Sequence, residues 1–266
     1  MSRDGAGSRG LWTELRECAT WLSSPGAYAS LQIARQTSCG VLRGPFAGML
    51  YPRSLVARGL FPGPYVAGSF ECELDPVIEE IIAAEPEVLV NVGSAQGYYA
   101  VGLGRAVWEM AVIAYESDPA MRAAARRIAL LNEVEPRIDA RGLCTVGELA
   151  GLEPRLEGRS ICVLMDCEGA EAELVDIDAV PWLARASLLI ELHGGTRALL
   201  ERRLAGSHEL RIVRGEPRWA SRFPELWWVN GLRQIDRELV IAEYRQGIQE
   251  WLWAVPKGGG GPAASG

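Results

Sequence analysis

Val88-Leu89-Val90-Asn91-Val92-Gly93-Ser94-Ala95-Gln96-Gly97 decides the fold. Its first five residues form a short apolar run suited to a strand buried on both faces, as strands of a parallel sheet are. The two glycines allow a tight turn and a close approach of backbone to a ligand. Tyr98-Tyr99-Ala100-Val101-Gly102 follows, and a helix beginning there offers free N–H groups and a positive dipole end to a carboxylate.

Upstream, Asp75-Pro76 reads as an N-cap followed by proline at the first helical position. Val77, Ile78, Ile81 and Ile82 then fall on one helical face, Glu79 and Glu80 favour the dipole's positive end, and Pro86 ends the helix. Downstream, Ala111–Tyr115 reads as a strand, and Asp118-Pro119 opens a helix to about Leu131, with Asn132 as its stop. Arg137–Ala140 is a weak third strand, and Thr145-Val146-Gly147-Glu148 has capping-box spacing. Ile161–Met165 and Leu188–Leu192 are buried-type strands. Leu210–Val213 and Trp251–Val255 close the sheet, with a helix near Asp236–Tyr244 between them. Strands alternating with helices imply an α/β fold with a mostly parallel, doubly wound sheet.

Around this core, residues 1–10 and 257–266 are rich in Gly, Ser and Ala and read as disordered tails. Residues 11–70 are mixed. Short amphipathic segments at Leu11–Leu22 and Ser30–Gln36 precede Pro- and Gly-rich stretches such as Phe61-Pro62-Gly63-Pro64, which suggests a cap or substrate-facing extension. Residues 71–256 form the main domain. The 266 residues are 48% hydrophobic and 23% charged, the balance of an ordinary soluble globular protein. A formal net charge of −7 opposes a polyanion, so no nucleic-acid partner is expected. No run approaches the roughly 20 apolar residues of a membrane span, and the N-terminus lacks a signal peptide's apolar stretch. Cys18, Cys39, Cys72, Cys144, Cys162 and Cys167 show no CxxC pairing, so neither a zinc nor a disulfide framework follows. A cytoplasmic location is the expectation, and nothing in the sequence sets an oligomeric state.

In doubly wound sheets, ligands sit beyond the carboxyl ends of the strands, near the point where strand order reverses. Glu116 ends the second strand, about 19 residues beyond Gly97. A carboxylate there is suited to accepting two hydrogen bonds from a ribose diol. The strand, glycine turn, helix, strand and Glu series thus points to a nucleoside-containing cofactor over a plain structural turn. A nicotinamide dinucleotide would predict G-x-G-x-x-G, whereas this turn reads G-S-A-Q-G. The spacing favours S-adenosylmethionine (SAM).

Four segments then occur in order: Val88–Gly102, Val112–Pro119, Leu164-Met165-Asp166-Cys167-Glu168-Gly169-Ala170-Glu171, and Ile190-Glu191-Leu192-His193. Together, over roughly residues 70–195, they resemble the FkbM-type family of class I SAM-dependent methyltransferases. The resemblance implies a Rossmann-like sheet of seven strands with an antiparallel last strand, SAM as cofactor, and methyl transfer commonly to an oxygen. It implies that Gly93, Ser94, Gln96 and Gly97 cradle the methionine portion, beside Asn91 at the end of the first strand. Glu116 would hold the ribose, Gly142, Leu143 and Cys144 would lie near the adenine edge, and Asp166 would face the amino group or the reacting centre. The match departs at Asn91, where this superfamily often has Asp; an amide hydrogen-bonds but does not balance a cationic ammonium.

Asp166, Glu168, Glu191 and His193 form a second constellation beside the expected methyl position. Three roles stay open for His193: a general base for an acceptor hydroxyl, a metal ligand with Asp166 and Glu168, or a structural bond to a loop carbonyl. Asp166 and His193 are the catalytic assignments. No metal ligand is assigned, because the spacing matches no strong motif. Glu168 reads as a cap for a helix starting near Ala170, Glu171 as a helix-surface charge, and Glu71 as another surface charge, with a place on the SAM pocket's wall as the other possibility. Cys167 lacks an activating neighbour and reads as a small buried thiol. His208, Trp219, Trp227 and Trp228 read as packing, with an apolar acceptor cleft as the other possibility. Arg122, Arg126 and Arg127 read as a solvated helix face. No Asn/Asp-Pro-Pro-Tyr/Phe motif follows the fourth strand, so the expected acceptor is an oxygen on a small molecule or sugar. Two competing readings remain. One is a non-catalytic binding or scaffold module of the same fold, motivated by Asn91; the other is an NAD(P)-dependent oxidoreductase.

Overall fold

The computed structural model describes residues 26–57, 59, 63–243 and 247–258. The expected tail at 1–10 and the segment Leu11–Leu22 lie outside the described residues. The chain divides into two compact units, Glu73–Glu216 with Gly247–Gly266, and Met1–Cys72 with Pro217–Gln246.

The larger unit is a seven-stranded sheet: β1 Val88–Val92, β2 Ala111–Tyr115, β3 Ile138–Arg141, β4 Ile161–Met165, β5 Ser187–Glu191, β6 His208–Arg214 and β7 Glu250–Pro256. The order across the sheet is β3-β2-β1-β4-β5-β7-β6. β1 pairs in parallel with β2 and β4, as β3 does with β2 and β5 with β4, while β7 runs antiparallel to β5 and β6. This is the expected doubly wound sheet with its last strand reversed. Strand order turns back between β1 and β4, the position from which such sheets bind ligands.

Every residue of β1 is buried. Val88, Val90 and Val92 join Val163, Met165, Leu188 and Ile190 in one continuous core, and by the period of two Leu89 and Asn91 face the other way. Trp182, fully buried in that core, satisfies its indole N–H on the carbonyl of Leu149 at 2.8 Å. The helix Tyr98–Ala106 packs on β1 and β2, and the helix Pro119–Leu131 on β3. Asp118 caps the latter as expected, its Oδ1 accepting the Ala120 N–H at 2.7 Å.

Several element ends differ from the sequence expectation. The helix Asp75–Ala84 has Leu74 as its N-cap and no side-chain cap bond, so Asp75 lies inside the first turn. β3 and β5 are each displaced by one residue, which leaves Leu192 just beyond β5. Thr145 Oγ1 accepts from Glu148 N at 3.2 Å, but the Glu148 carboxylate lies 3.7 Å from Arg141, so half of the capping box forms. Lys257, expected in a tail, is held at the sheet edge: its N–H donates to Ser207 O and its Nζ to Ala205 O. Residues 259–266 lie outside the described residues.

The smaller unit contains the helix Ala27–Gln36, which includes the expected Ser30–Gln36 segment. The helix Gln234–Ile241 packs against it and against Gly63–Ala67; Tyr244 lies outside the described residues. Tyr28 donates to Gly231 O, and Gln36 exchanges two bonds with the backbone of Asn230. Residues 217–243 fall in the same compact unit as the N-terminal segment, whereas the sequence reading placed 71–256 in one domain. Their Trp- and Pro-rich sequence carries no sheet periodicity that would have shown this. Glu71 is not a surface charge either. It is 1% exposed, and its N–H donates to Glu243 Oε1 at 2.7 Å.

Among the described residues, no helix is long and apolar enough to cross a membrane. The tightest constraint in the sheet unit is at Gly93, where φ is +76° and an added Cβ would lie 1.6 Å from the carbonyl oxygen of Asp166. Gly93→Ala is expected to lower stability by at least about 3 kcal/mol, the sum of a strained backbone and overpacking. Urea unfolding checks this, and a wild-type midpoint would refute it.

Candidate active site

Parallel register assembles the site. Val92 pairs with Tyr115 and Met165, Tyr115 with Arg141, and Met165 with Ile190. One step further along each strand stand Gly93, Glu116, Gly142, Asp166 and Glu191. They form a row on the sheet's carboxyl edge, with neighbouring strands about 4.8 Å apart. Backbone bonds hold the row together. Gly93 N and Ser94 N both donate to Tyr115 O at 2.9 Å, Asp166 N to Val92 O at 2.9 Å, and Glu116 N to Arg141 O at 3.2 Å.

The turn after β1 is left-handed at Gly93, Ala95 and Gly97, with φ of +76°, +44° and +89°. Glycine meets this need at two of the three positions, while Ala95 adopts a conformation uncommon for a residue with a Cβ. Gly97 is the N-cap of the helix Tyr98–Ala106 and makes no side-chain cap bond. The helix's first-turn donors and its dipole therefore stay available to an anion. Glu116 ties the next loop to this turn: Oε2 accepts from Ala95 N at 2.8 Å and Oε1 from Asp118 N at 2.7 Å. Arg122, expected on a solvated face, instead braces the same loop. Its Nη1 donates to Glu116 O at 2.6 Å and Ser117 O at 2.8 Å. Arg126 is exposed and pairs with Glu135.

Between these loops lies a cleft of about 330 Å³, bounded by Gly93, Ala95, Tyr115, Glu116, Leu143, Cys144, Asp166 and Glu168 among others, within the range of small-molecule sites. Gly93, Glu116, Leu143 and Asp166 thus come together as the sequence suggested. Asn91, Ser94, Gln96, Gly97, Gly142 and His193 are not among the cleft's walls. Asn91 is 1% exposed, and its Nδ2 donates to Leu164 O at 3.2 Å, linking β1 to β4. Ser94 lines a separate cavity with Val101, Ala114 and Ala125, and Gln96 is buried. Ala95, which sequence reasoning passed over, takes their place on the wall. Alternation of side chains through a three-fold left-handed turn reverses which residues face out, and composition carries no sign of that.

Asp166 and Glu168, on the cleft's wall, belong to an acidic cluster around His193. His193 Nδ1 lies 3.0 Å from Glu171 Oε1, which also accepts the Cys167 N–H at 3.0 Å. An ionised carboxylate only accepts, so in this contact Nδ1 carries a proton. Nε2 stands 3.8 Å from Asp166 Oδ1, 3.8 Å from Glu168 Oε2 and 3.6 Å from Glu191 Oε2. Burial, then the neighbouring Glu191, pushes the Asp166 carboxyl up to about 8. Burial and Glu171 also raise the Cys167 thiol, which disfavours the thiolate a nucleophile needs.

Three sequence expectations are corrected here. Glu171 is fully buried, not a surface charge. Glu168 does not cap the helix Glu171–Leu174, whose N-cap is Ala170 with no side-chain bond; Glu168 is exposed, with φ of +56°. His193 is bonded to Glu171 rather than to a loop carbonyl. One signal for Glu171 was present: it shares helical spacing with Leu174 and Val175, both buried. Arg203 holds that helix by donating from Nη1 to the carbonyls of Ala172 and Val175 at 2.5 and 2.7 Å. His208 is packing, buried at the start of β6 with Nε2 3.0 Å from Ala186 O, and burial lowers its pKa. Trp219, Trp227 and Trp228 are exposed residues of the smaller unit.

No family model matches the sequence, and no curated protein matches it. Solved structures with a similar course of chain include the O-methyltransferase TomG from Streptomyces achromogenes, involved in tomaymycin synthesis and in complex with SAM. It is 11% identical, with 89% of this chain and 91% of that chain covered and a TM-score of 0.46. An O-methyltransferase from Bacillus cereus in complex with SAH is 12% identical, with 88% and 92% covered and a TM-score of 0.46. Cofactor-bound Rv0187 from MTB is 14% identical, with 88% and 90% covered and a TM-score of 0.43. Similarity at this level assigns neither activity nor acceptor.

Proposed function

We propose that the chain is a SAM-dependent methyltransferase of FkbM-like type that methylates an oxygen of a small molecule or sugar. The observation that carries this reading is the Glu116 carboxylate, pinned between Ala95 N and Asp118 N at one end of the cleft, with Asp166 at the other. Each Glu116 oxygen accepts one backbone bond; Oε2 keeps capacity for a second, and at Oε1 a ribose hydroxyl would replace the long 3.5 Å contact of the Ser117 hydroxyl, which suits a ribose diol. The uncapped start of Tyr98–Ala106 suits the donor's carboxylate, Asp166 its ammonium, and Leu143 the adenine edge. The chemistry of this donor set fits SAM.

When bound, SAM supplies a methyl group already activated on a sulfonium. The protein has to hold the acceptor oxygen at about 3 Å and keep water out, since alignment is the larger part of such a displacement. Asp166 and His193 are the residues that meet the acceptor. Glu171 occupies Nδ1 of His193, so Nε2 is the ring atom that serves the acceptor's side. The Asn91 departure no longer favours a non-catalytic module, because that amide bonds Leu164 O inside the sheet.

Calorimetry with SAM and S-adenosylhomocysteine tests the reading directly; NADH binding without any response to SAM would replace it with the oxidoreductase. Glu116→Ala should weaken SAM binding by about 1–3 kcal/mol, the range for losing a hydrogen bond to a charged group. An unchanged dissociation constant would remove the ribose assignment. His193→Gln should leave SAM affinity intact but slow labelled-methyl transfer to a panel of hydroxylated acceptors by about 10²–10⁴-fold. Equal rates for variant and wild type would exclude it from the reaction.

A further inference from the structure

We propose that the exposed aromatic surface of the smaller unit docks the chain on an anionic lipid surface. Trp219, Trp227 and Trp228 are 63%, 50% and 77% exposed, and Ile235 stands 53% exposed on the helix Gln234–Ile241. Contacts to that helix gather them. Arg237 lies against the Trp227 ring, its guanidinium carbon 4.5 Å from the centroid, and donates to Leu226 O. Ala220 N donates to Glu238 at 2.9 Å, which places Trp219 beside the same helix. Tyr28, itself about half exposed, reaches the loop after Trp228 through Gly231 O. Large apolar side chains exposed together mark an interaction surface.

The charge of this surface selects the partner. The smaller unit holds 12 arginines against 8 acids, in a chain whose net charge is −7. Within 217–243, Arg222 and Arg233 are exposed and no acid is. Glu225 pairs with Arg43, Asp236 is buried against Arg233, and Glu238 is held by Ala220 N and Gln234. Tryptophan with a positive rim matches the headgroup region of an anionic bilayer, where indole rings settle between water and hydrocarbon and arginine meets the phosphates. A nucleic-acid strand fits less well. Base stacking has no use for Ile235, and two exposed arginines neutralise few phosphates. A second copy of this surface would set arginine against arginine. Among the described residues no helix is long and apolar enough to cross a membrane, so this contact lies on the lipid rather than through it. The inference stands on the surface alone, whether or not the chain uses SAM.

Sedimentation of the full-length protein with sucrose-loaded vesicles tests it. Vesicles of equal parts phosphatidylcholine and phosphatidylglycerol should carry the protein down at low salt, and pure phosphatidylcholine should carry far less. Trp227→Ala combined with Trp228→Ala should weaken partition by about 10-fold or more, since binding scales with the apolar area taken into the interface. Arg222→Gln should weaken it about 5-fold, and only on the anionic vesicles. These side chains are exposed, so the variants keep the wild-type urea midpoint. Trp108→Ala, at an exposed tryptophan of the larger unit, should leave partition unchanged. No sedimentation with the anionic vesicles, wild-type partition of the double variant, or an equal loss from Trp108→Ala would each overturn the proposal. So would tighter binding of a single-stranded oligonucleotide than of vesicles, which gives the surface to nucleic acid. A dimer that ignores vesicles and that the double variant converts to monomer gives it to a second copy.

Discussion

The close approach of Gly93 to the carbonyl of Asp166 is the constraint on which the rest of the site depends. β1 and β4 are adjacent, and their pairing runs one residue past the strands, through Asp166 N to Val92 O. A chain leaving β1 at that point has no room for a side chain and must turn left-handed at once. Because it does so, Ala95 N is brought onto Glu116 and Gly97 arrives at the start of a helix with its donors free. A sheet-packing requirement thus shapes the turn that the donor would meet.

The two ends of the cleft handle negative charge in opposite ways. Glu116 is held by two backbone N–H groups, with Arg122 securing the carbonyls beside it. Those two donors satisfy the carboxylate without a counter-ion. At the other end, several carboxylates share one imidazole, and burial drives Asp166 upward. The first end suits neutral hydroxyls as partners; the second suits a cation.

Much of the sheet was legible because each strand is a compact apolar run bounded by turn residues, and burial on both faces leaves little else such a run can do. Strand ends moved by a residue, as at β3 and β5, because pairing with neighbours sets them rather than local composition. The insertion was not legible. Residues 217–243 join the N-terminal segment through contacts such as Gln36 with Asn230, and no periodicity encodes a partner nearly 200 positions away.

Along the cleft, sequence alone placed Gly93, Glu116 and Asp166, because each directly follows the last residue of a buried strand, and chain order maps directly onto the row along the sheet edge. Tertiary structure alone decided which loop side chains face the cleft, turning Ala95 outward and Ser94 and Gln96 away. It also decided that Glu171 lies buried against His193. The physical reason is one of range. Strand burial follows from a few consecutive residues, whereas a side chain's direction in a left-handed turn, and the pairing of a carboxylate with an imidazole 22 residues away, depend on packing of the whole sheet.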